Sequence, residues 1–433
     1  MLYDIAFLIF SLFYLPILIF KGKMHKDFLQ RFGVYDPVTL ATLEYFKGAI
    51  WIQAVSVGEV ALCKSLIPEL KKRFPDRPIV LSTITKTGND LAKKTFSQYA
   101  TVIYFPLDFS FIARRVVRMV KPAAYIMVET EIWPGVLREL SKENVPSVMI
   151  NGRISDRSFG KYRLARPFLK GTLSRISRFC MQSRTDAERI IEIGAPADRV
   201  RVTGNMKFDV GTAPKAGAAN AAAWLKPGEE LFVAGSTHEG EEDAVIGAYK
   251  VLATEFPDLR LLIAPRHITR VADVEKTVRG AGFEPVRLSS LPEPRNPKPE
   301  TRVLILDTIG RLSDMYAMAK LVFVGGSLVK HGGQNPIEPA LFEKPIIFGP
   351  HMFNFKAIAA SFLNNGGAVQ VDDPAGLLDE CRRLLRDKDA RQALGANARR
   401  TVAENRGATE KNIEAIAELV ETFPGKVFSG KSF

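Results

Sequence analysis

The chain has 433 residues, of which 46% are hydrophobic and 25% are charged, so it is long enough for two globular domains of about 200 residues each. Its three cysteines, Cys63, Cys180 and Cys381, lie far apart, which excludes a disulfide framework and a cysteine-based metal site and fits a reducing compartment. The formal net charge of +13 indicates an anionic partner, but it does not choose among nucleic acid, an anionic membrane and a phosphorylated substrate.

The first segment of the chain, residues 1–20, is apolar apart from Asp4 and is followed by the basic sequence KGKMHK. It lacks the small-residue cleavage site of a signal peptide, so we interpret residues 1–22 as a retained N-terminal membrane anchor, with a processed signal peptide as the alternative. The apolar part is near the lower limit of about 17 residues for a bilayer span, so a full span and a monotopic insertion both stay open. The basic flank predicts that the rest of the chain lies on the cytoplasmic face of the inner membrane.

Short apolar strands alternate with amphipathic helices over two long regions. This pattern predicts two Rossmann-like α/β domains with parallel, doubly wound sheets, the first over residues 23–210 and the second, with C-terminal helices, over 229–433. Residues 211–228 are rich in alanine, glycine and proline, which predicts a linker. We expect ligands to bind in a cleft between the two domains, at the carboxyl ends of the strands. The predicted strands are 50–56, 78–84, 123–128 and 146–150 in the first domain, and 231–236, 259–265, 302–307, 321–327 and 344–349 in the second.

Carboxylates follow two of the predicted strands of the first domain. Glu59 comes after the first strand, and Glu129 and Glu131 come after the third. Because parallel strands bring their carboxyl ends to one edge of a sheet, these groups are placed for general-base work. The alternatives are a salt bridge or N-cap for Glu131 and, for Glu59, a helix-dipole charge worth less than about 1 kcal/mol. That dipole predicts an ionised, weakly basic Glu59.

The second domain has a glycine-rich loop, residues 325–340, before a helix that we predict to begin at Pro336. Such a helix start suits a phosphate, but Asn335 and Glu338 also fit a reciprocal N-cap, and both readings stay open. Four histidines follow strands of this domain, which indicates a polar cleft without metal-ligand spacing. They are His238, His267, His331 and His351. A D-x-D sequence at residues 387–389 lies in a turn between C-terminal helices, where we expect no metal.

Two segments are rich in basic residues. Residues 153–178 carry eight lysines or arginines interleaved with Phe159, Tyr162 and Phe168, and residues 111–121 carry four more. Beside a membrane anchor, basic residues with aromatics indicate a face that rests on anionic lipid, and a solvated charged face is the alternative.

Eight motifs, in the same order along the chain, resemble those of the bacterial Kdo transferases. These enzymes are GT-B glycosyltransferases that move 3-deoxy-D-manno-octulosonic acid (Kdo) from CMP-Kdo to lipid A precursors. The motifs are AVSVGE (54–59), VETEIWP (128–134), NGRIS (151–155), TGNMKFD (203–209), STHEGEE (236–242), APRH (264–267), VFVGGSLVKHGGQNPIEPA (322–340) and GPHMFNF (349–355). The resemblance implies inverting transfer to lipid IVA in lipopolysaccharide core biosynthesis, with no metal, no cofactor and no nucleic-acid partner.

The resemblance also implies roles for individual residues. Glu59 matches the family's proton acceptor, and Glu129 and Lys207 match positions that stabilise the transition state. The positions that match CMP contacts are Pro265, Arg266, Ile309, Gly310, Arg311, Asn335, Pro336, Ile337 and Glu338. Arg311 stands where an acidic residue is expected, so a backbone contact with the nucleotide would be unchanged there, whereas a side-chain contact would not.

Two alternatives remain at this point. One is another GT-B enzyme, such as a UDP-GlcNAc transferase or a sugar-nucleotide epimerase, which UDP rather than CMP would inhibit. The other is a membrane-tethered nucleic-acid-binding protein, whose binding would depend steeply on salt.

Overall fold

The computed structural model describes residues 3, 4, 7, 8, 27–209, 225–290 and 302–422. The chain divides into two compact units, unit 1 with Met1–Val210 and Arg406–Phe433, and unit 2 with Gly211–Asn405. Most of the predicted anchor (1–22) and of the predicted linker (211–228) lies outside the described residues, so both stay predictions. Within the described ranges, no helix has the length and apolar character needed to cross a membrane.

Unit 1 is built on a sheet of seven parallel strands in the order β3-β2-β1-β4-β5-β6-β7. The strands are β1 Ile50–Gln53, β2 Ile79–Thr83, β3 Thr101–Tyr104, β4 Ala124–Val128, β5 Ser147–Gly152, β6 Arg178–Met181 and β7 Val200–Val202. The helices that precede and connect them are α1 Pro37–Tyr45, α2 Val57–Arg73, α3 Lys86–Phe96, α4 Ser110–Val120, α5 Pro134–Lys142, α6 Asp156–Leu164, α7 Arg166–Leu173 and α8 Arg184–Ile193.

The central strands β1, β2, β4 and β5 of unit 1 are buried along their whole length because helices cover both faces of the sheet. Successive residues of β1 alternate between the two faces. Trp51 packs in a core cluster with residues of α4 and α5, whereas Ile50 and Ile52 pack in a second cluster with residues of α2 and α3. The sheet therefore separates two cores.

Unit 2 repeats this architecture with seven parallel strands in the order β10-β11-β9-β8-β12-β13-β14. They are β8 Glu230–Thr237, β9 Leu259–Pro265, β10 Pro285–Arg287, β11 Val303–Ile305, β12 Ala319–Val324, β13 Ile346–Phe348 and β14 Val369–Gln370. The helices are α9 Glu241–Glu255, α10 Val271–Gly280, α11 Leu312–Met318, α12 Ile337–Ala340, α13 Lys356–Asn364, α14 Pro374–Arg386 and α15 Lys388–Glu404. Two parallel, doubly wound sheets are therefore confirmed.

The last helix, α16 (Ala408–Thr422), belongs to unit 1. Its residues Ile413, Ile416 and Val420 join the core cluster of α2 and α3. The sequence pattern predicts a second domain that runs to residue 433, whereas the chain returns to unit 1 at Arg406. The amphipathic pattern of a helix shows that one face is buried but not which sheet buries it.

Each sheet has one point at which the strand order reverses direction. In unit 1 this switch point lies between β1 and β4, and in unit 2 it lies between β8 and β12. Open α/β sheets bind ligands outside the carboxyl ends of the strands at such points. Glu59, Glu129 and Glu131 follow β1 and β4, and His238 and the glycine-rich loop follow β8 and β12.

Candidate active site

Glu59 lies in the first turn of α2, directly after β1, and its side chain is turned back toward the strand end. Only 7% of the residue is exposed. Its Oε2 accepts the backbone N–H of Val55 at 2.6 Å, and its Oε1 accepts the hydroxyl of Ser56 at 2.9 Å. Glu59 therefore ties the start of α2 to the loop that precedes it, and its remaining lone pairs can still accept a proton.

The environment of Glu59 makes it a stronger base than an ordinary carboxylate. Burial raises its pKa to about 8, and the charges of Glu131 and Glu129 act in the same direction, against the hydrogen bonds from Val55 and Ser56. The prediction of an ionised, weakly basic Glu59 is therefore wrong, because desolvation outweighs the hydrogen bonds that favour the charge. Burial also raises the pKa of Glu131 to about 7, although its carboxylate accepts the indole N–H of Trp133 at 3.0 Å.

Glu129 and Lys207 form a second part of the unit 1 site. Glu129 directly follows β4 and has a φ of 62°, a left-handed conformation that is rare outside glycine. Its backbone N–H donates to the carbonyl of Ile150 at 2.9 Å. The Nζ of Lys207 lies 3.8 Å from Oε1 of Glu129. The structure therefore brings together Glu59, Glu129 and Lys207, the three predicted catalytic residues.

Asn151 positions Lys207 and was not among the predicted site residues. It is fully buried near the end of β5, with a φ of 53°. Its Oδ1 accepts the backbone N–H of Met206 at 2.9 Å, which holds the short 3₁₀ turn Met206–Phe208 against the sheet. An Asn-Gly pair at the end of an apolar strand was the available sequence signal, because asparagine tolerates left-handed backbone.

In unit 2, the end of β8 and the loop after β12 are in direct contact. Gly325 donates its N–H to the carbonyl of Gly235 at 2.8 Å. A Cβ on Gly325 would lie only 2.6 Å from the carbonyl oxygen of Ser236. Only glycine allows this close approach of two backbones.

Glu241, which the sequence analysis also missed, holds the loop after β12 in place. Its fully buried carboxylate accepts four backbone N–H groups, those of His238 (2.9 Å), Gly326 (2.6 Å), Ser327 (2.8 Å) and Leu328 (2.9 Å). One side chain thus ties the β8 end to the β12 loop. The consecutive acids of the motif STHEGEE were the only sequence signal for it.

Three of the four predicted histidines come together. The rings of His238 and His331 stack at 4.2 Å with an interplanar angle of 14°, and the ring of His267 meets that of His238 edge-on at 5.8 Å. The backbone N–H of His351 donates to the carbonyl of Ser327 at 2.9 Å, and no ring contact joins it to the other three in the described part of the chain. Among the described residues, no group of three or more His, Cys, Asp or Glu is arranged to hold a metal ion.

The residues that match CMP contacts lie in loops at the carboxyl ends of unit 2 strands. Pro265 ends β9, and the N–H of Arg266 donates to the carbonyl of Thr237, the last residue of β8, at 2.9 Å. Ile309 and Gly310 follow β11, and the Arg311 side chain binds Asp314 at 2.8 Å. These positions stay predicted ligand contacts.

The loop before α12 differs in detail from the prediction. The helix begins at Ile337, one residue after Pro336, and has only four residues. Asn335 Oδ1 accepts the N–H of Ile337 at 3.1 Å, and its Nδ2 contacts Glu338 at 3.4 Å. Capping by Asn335 is therefore present, and so short a helix has little dipole to offer a phosphate.

Two doubly wound units, each with polar side chains at its switch point, define an α/β fold of the GT-B type. A solved structure of UDP-GlcNAc 2-epimerase from Neisseria meningitidis has this fold with a TM-score of 0.61, at 12% identity over 86% of this chain and 100% of that chain. At this identity the likeness shows the fold alone.

Sequence comparison establishes the family. A family model described as 3-deoxy-D-manno-octulosonic-acid transferase (kdotransferase) matches residues 26–210. The 3-deoxy-D-manno-octulosonic acid transferase of Haemophilus influenzae is 32% identical over 94% of this chain and 95% of its own length. The transferase of the same name from Bordetella pertussis is 31% identical over 90% of each chain. The chain belongs to the Kdo transferase family and is a glycosyltransferase.

Proposed function

We propose that the chain is an inverting transferase that moves Kdo from CMP-Kdo to a lipid A precursor, lipid IVA, in lipopolysaccharide core biosynthesis. The observation that carries this proposal is the buried carboxylate of Glu59 at the switch point of unit 1, with its pKa raised to about 8. A general base with a pKa near the working pH combines a useful ionised fraction with enough basicity to take a hydroxyl proton. Glu59 thus supplies the base that direct displacement requires.

In the proposed reaction, Glu59 takes the proton from an acceptor hydroxyl as that oxygen attacks the anomeric carbon of the donor. The bond between the anomeric carbon and the phosphate oxygen breaks, and its electron pair leaves with CMP. One displacement inverts the configuration at that carbon. Lys207, which lies 3.8 Å from Glu129, offers a positive charge to the negative charge that develops in the transition state.

We assign CMP to the loops at the carboxyl edge of unit 2. Arg266 follows β9 and can pair with the phosphate, and Pro265 lies beside it. Residues 309–311 and 335–338 complete the proposed contacts. Because α12 has only four residues, we expect the phosphate to depend on Arg266 and individual N–H groups more than on a helix dipole.

The test is transfer of Kdo from CMP-Kdo to lipid IVA by the wild type, Glu59→Ala and Glu59→Gln. We expect both variants to lose at least about a hundredfold in turnover and to bind CMP as the wild type does. Ser56→Ala is the matched control, since it removes one hydrogen bond to Glu59 but keeps the carboxylate, and it should retain most activity. Near-full activity of Glu59→Gln would refute the base assignment, and inhibition by UDP but not by CMP would point to a different sugar-nucleotide enzyme.

We also propose that one face of unit 1 rests on the anionic cytoplasmic surface of the inner membrane. The basic helices α4, α6 and α7 all contribute side chains to the same core cluster, on one side of the sheet. Three apolar residues on these helices are largely exposed to solvent, Phe111 at 69%, Leu164 at 85% and Phe168 at 86% of their surface. Apolar tips among lysines and arginines are typical of surfaces that dock on anionic lipid.

The described residues of the predicted anchor contact this same face. The carboxylate of Asp4 accepts the backbone N–H of Ser110, at the start of α4, at 2.7 Å. The ring of Phe7 meets that of Phe109 edge-on at 4.8 Å. The beginning of the N-terminal segment therefore lies beside Phe111, which supports the proposed orientation.

A further inference from the structure

Three imidazole rings meet at the switch point of unit 2. His238 follows β8, His267 follows β9, and His331 lies in the loop after β12. The stacked pair His238–His331 and the edge-on pair His238–His267 share the ring of His238. The cluster is thus produced by the fold, since its members come from three separate segments of the sequence.

Two arginines add positive charge around this cluster. Burial, together with the charges of His331, His267, Arg266 and Arg270, lowers the pKa of His238 to about 4. His238 is therefore neutral at pH 7. An anion placed here would face an electropositive set of donors.

Two carboxylates beside this cluster already bind other groups. Both oxygens of Glu241 are taken by the four backbone N–H groups of His238 and the β12 loop. The carboxylate of Glu242 binds Arg270 at 2.7 and 3.3 Å and the hydroxyl of Thr237 at 2.9 Å. These two acids hold the backbone and Arg270 in place, so neither is available to neutralise the rings. A third acid, Glu239, is exposed, and its charge acts on Arg270.

The central ring is held in position by its neighbours. Nε2 of His238 lies 3.2 Å from the side-chain nitrogen of Gln334. Gly326 packs so close that a Cβ there would lie 3.2 Å from Cδ2 of His238. A ring that is already fixed on two sides loses little conformational entropy when it binds a ligand.

We propose that His238, His267 and His331 form a subsite for an oxyanion of the donor, beside Arg266. This inference rests on the proposed function, in which the donor carries two such groups, the phosphate of CMP and the carboxylate of the sugar. Imidazole N–H groups hydrogen-bond to either oxyanion, and the bond strengthens when the imidazole is protonated. The subsite would therefore recognise an acidic sugar nucleotide.

The experiment measures binding of CMP and of CMP-Kdo, and steady-state transfer, for His238→Gln, His331→Gln and the double variant of the full chain. The double variant removes both rings of the stacked pair. Because His331 is exposed, His331→Gln should fold as the wild type does. We expect the double variant to weaken donor binding at least about tenfold, the loss of one charge-assisted hydrogen bond. The Michaelis constant for the donor should rise more than turnover falls. His351→Gln, outside the cluster, is the control and should bind as the wild type does.

The two ligands separate the two oxyanions. Weaker binding of both CMP and CMP-Kdo assigns the subsite to the phosphate, and weaker binding of CMP-Kdo alone assigns it to the sugar carboxylate. Unchanged binding of both ligands by a folded double variant overturns the inference and leaves the proposed function standing. A wild type that binds UDP but neither of these ligands overturns the proposed function, and the inference with it.

Discussion

The backbone N–H of Val55 donates to Oε2 of Glu59 at 2.6 Å. This hydrogen bond joins the short loop after β1 to the residue that we propose as the base. One side chain therefore has both a structural contact and a proposed catalytic role. The hydrogen bond favours the ionised carboxylate, but burial and the neighbouring glutamates prevail and raise the pKa of Glu59. The base is consequently stronger than its place at a helix start predicts.

The raised pKa of Glu59 predicts how turnover depends on pH. The base acts in its ionised form, so turnover should be low in acid and rise with pH through an inflection near pH 8. An ordinary glutamate would give this inflection near its usual pKa of about 4.3. Initial rates between pH 5 and about pH 9, with saturating donor and acceptor, measure the profile.

Glu131→Gln is the matched variant for this profile. The charge of Glu131 contributes to the raised pKa of Glu59, so removing it should shift the inflection to lower pH while the base remains. A wild-type rate that is flat across this range would contradict the base assignment. If the inflection lies at the same pH in Glu131→Gln as in the wild type, the titrating group is not Glu59.

Replacing Glu241 with alanine should destabilise unit 2 and weaken CMP binding. Four backbone N–H groups would lose their acceptor, and each buried unsatisfied group costs about 1–3 kcal/mol. We expect the free energy of unfolding to fall by at least about 3 kcal/mol, with a smaller loss for Glu241→Gln, which keeps one oxygen acceptor. Urea denaturation and CMP titration measure the two effects. The exposed Glu239→Ala is the control, and an equal effect of both substitutions would refute the role of Glu241.

Two glycine-to-alanine substitutions should have opposite effects on stability. At Gly325 the added methyl would lie 2.6 Å from the carbonyl oxygen of Ser236, so we expect a loss of about 1–3 kcal/mol. At Gly247, inside α9, nothing lies within 4 Å of the added methyl, and alanine should stabilise by about 0.5–1 kcal/mol. Denaturant unfolding of the two variants compares them directly, and a tolerated Gly325→Ala would mean that the two strand ends can separate.

The proposed membrane face predicts a selective loss of lipid binding. Leu164→Asp with Phe168→Asp places two negative charges on exposed apolar positions of unit 1. Binding of the full chain to vesicles that contain phosphatidylglycerol should weaken at least about tenfold, because burial of each side chain contributes about 1.5–3 kcal/mol. Binding to neutral vesicles should change less.

Val202→Asp with Val251→Asp makes the same charge change at exposed valines elsewhere in the chain. If this pair weakens binding to anionic vesicles as much as the Leu164 and Phe168 substitutions do, net charge and not a defined face governs the interaction.

Nine of the fourteen strands of the described residues could be predicted, because buried parallel strands are continuous apolar runs. The sequence analysis missed β3, β6, β7, β10 and β14, which have only two to four residues each. The run 50–56 became β1, and its polar end placed Glu59 correctly at the edge of the sheet. The ionisation of Glu59 could not be predicted in this way. The pKa of Glu59 depends on how completely distant parts of the chain exclude solvent from its carboxylate. The local sequence shows only the helix start, which favours the charged form.

Long-range contacts were the part that the sequence could not show. Asn151 and Glu241 act on backbone segments that lie 55 and 85 residues away, so no local pattern reveals their partners. The four histidines were correctly placed after strands of one domain, but the strand order decides that His238, His267 and His331 meet while His351 does not.

The return of the chain to unit 1 at α16 has a consequence for how the protein is made. The first sheet is complete once residue 202 has been synthesised, but one of its two cores still lacks Ile413, Ile416 and Val420. A domain that emerges first from the ribosome normally folds first. Here that domain stays partly uncovered until the ribosome has translated all of unit 2, so a nascent chain arrested before Ala408 should expose an apolar surface to chaperones and proteases.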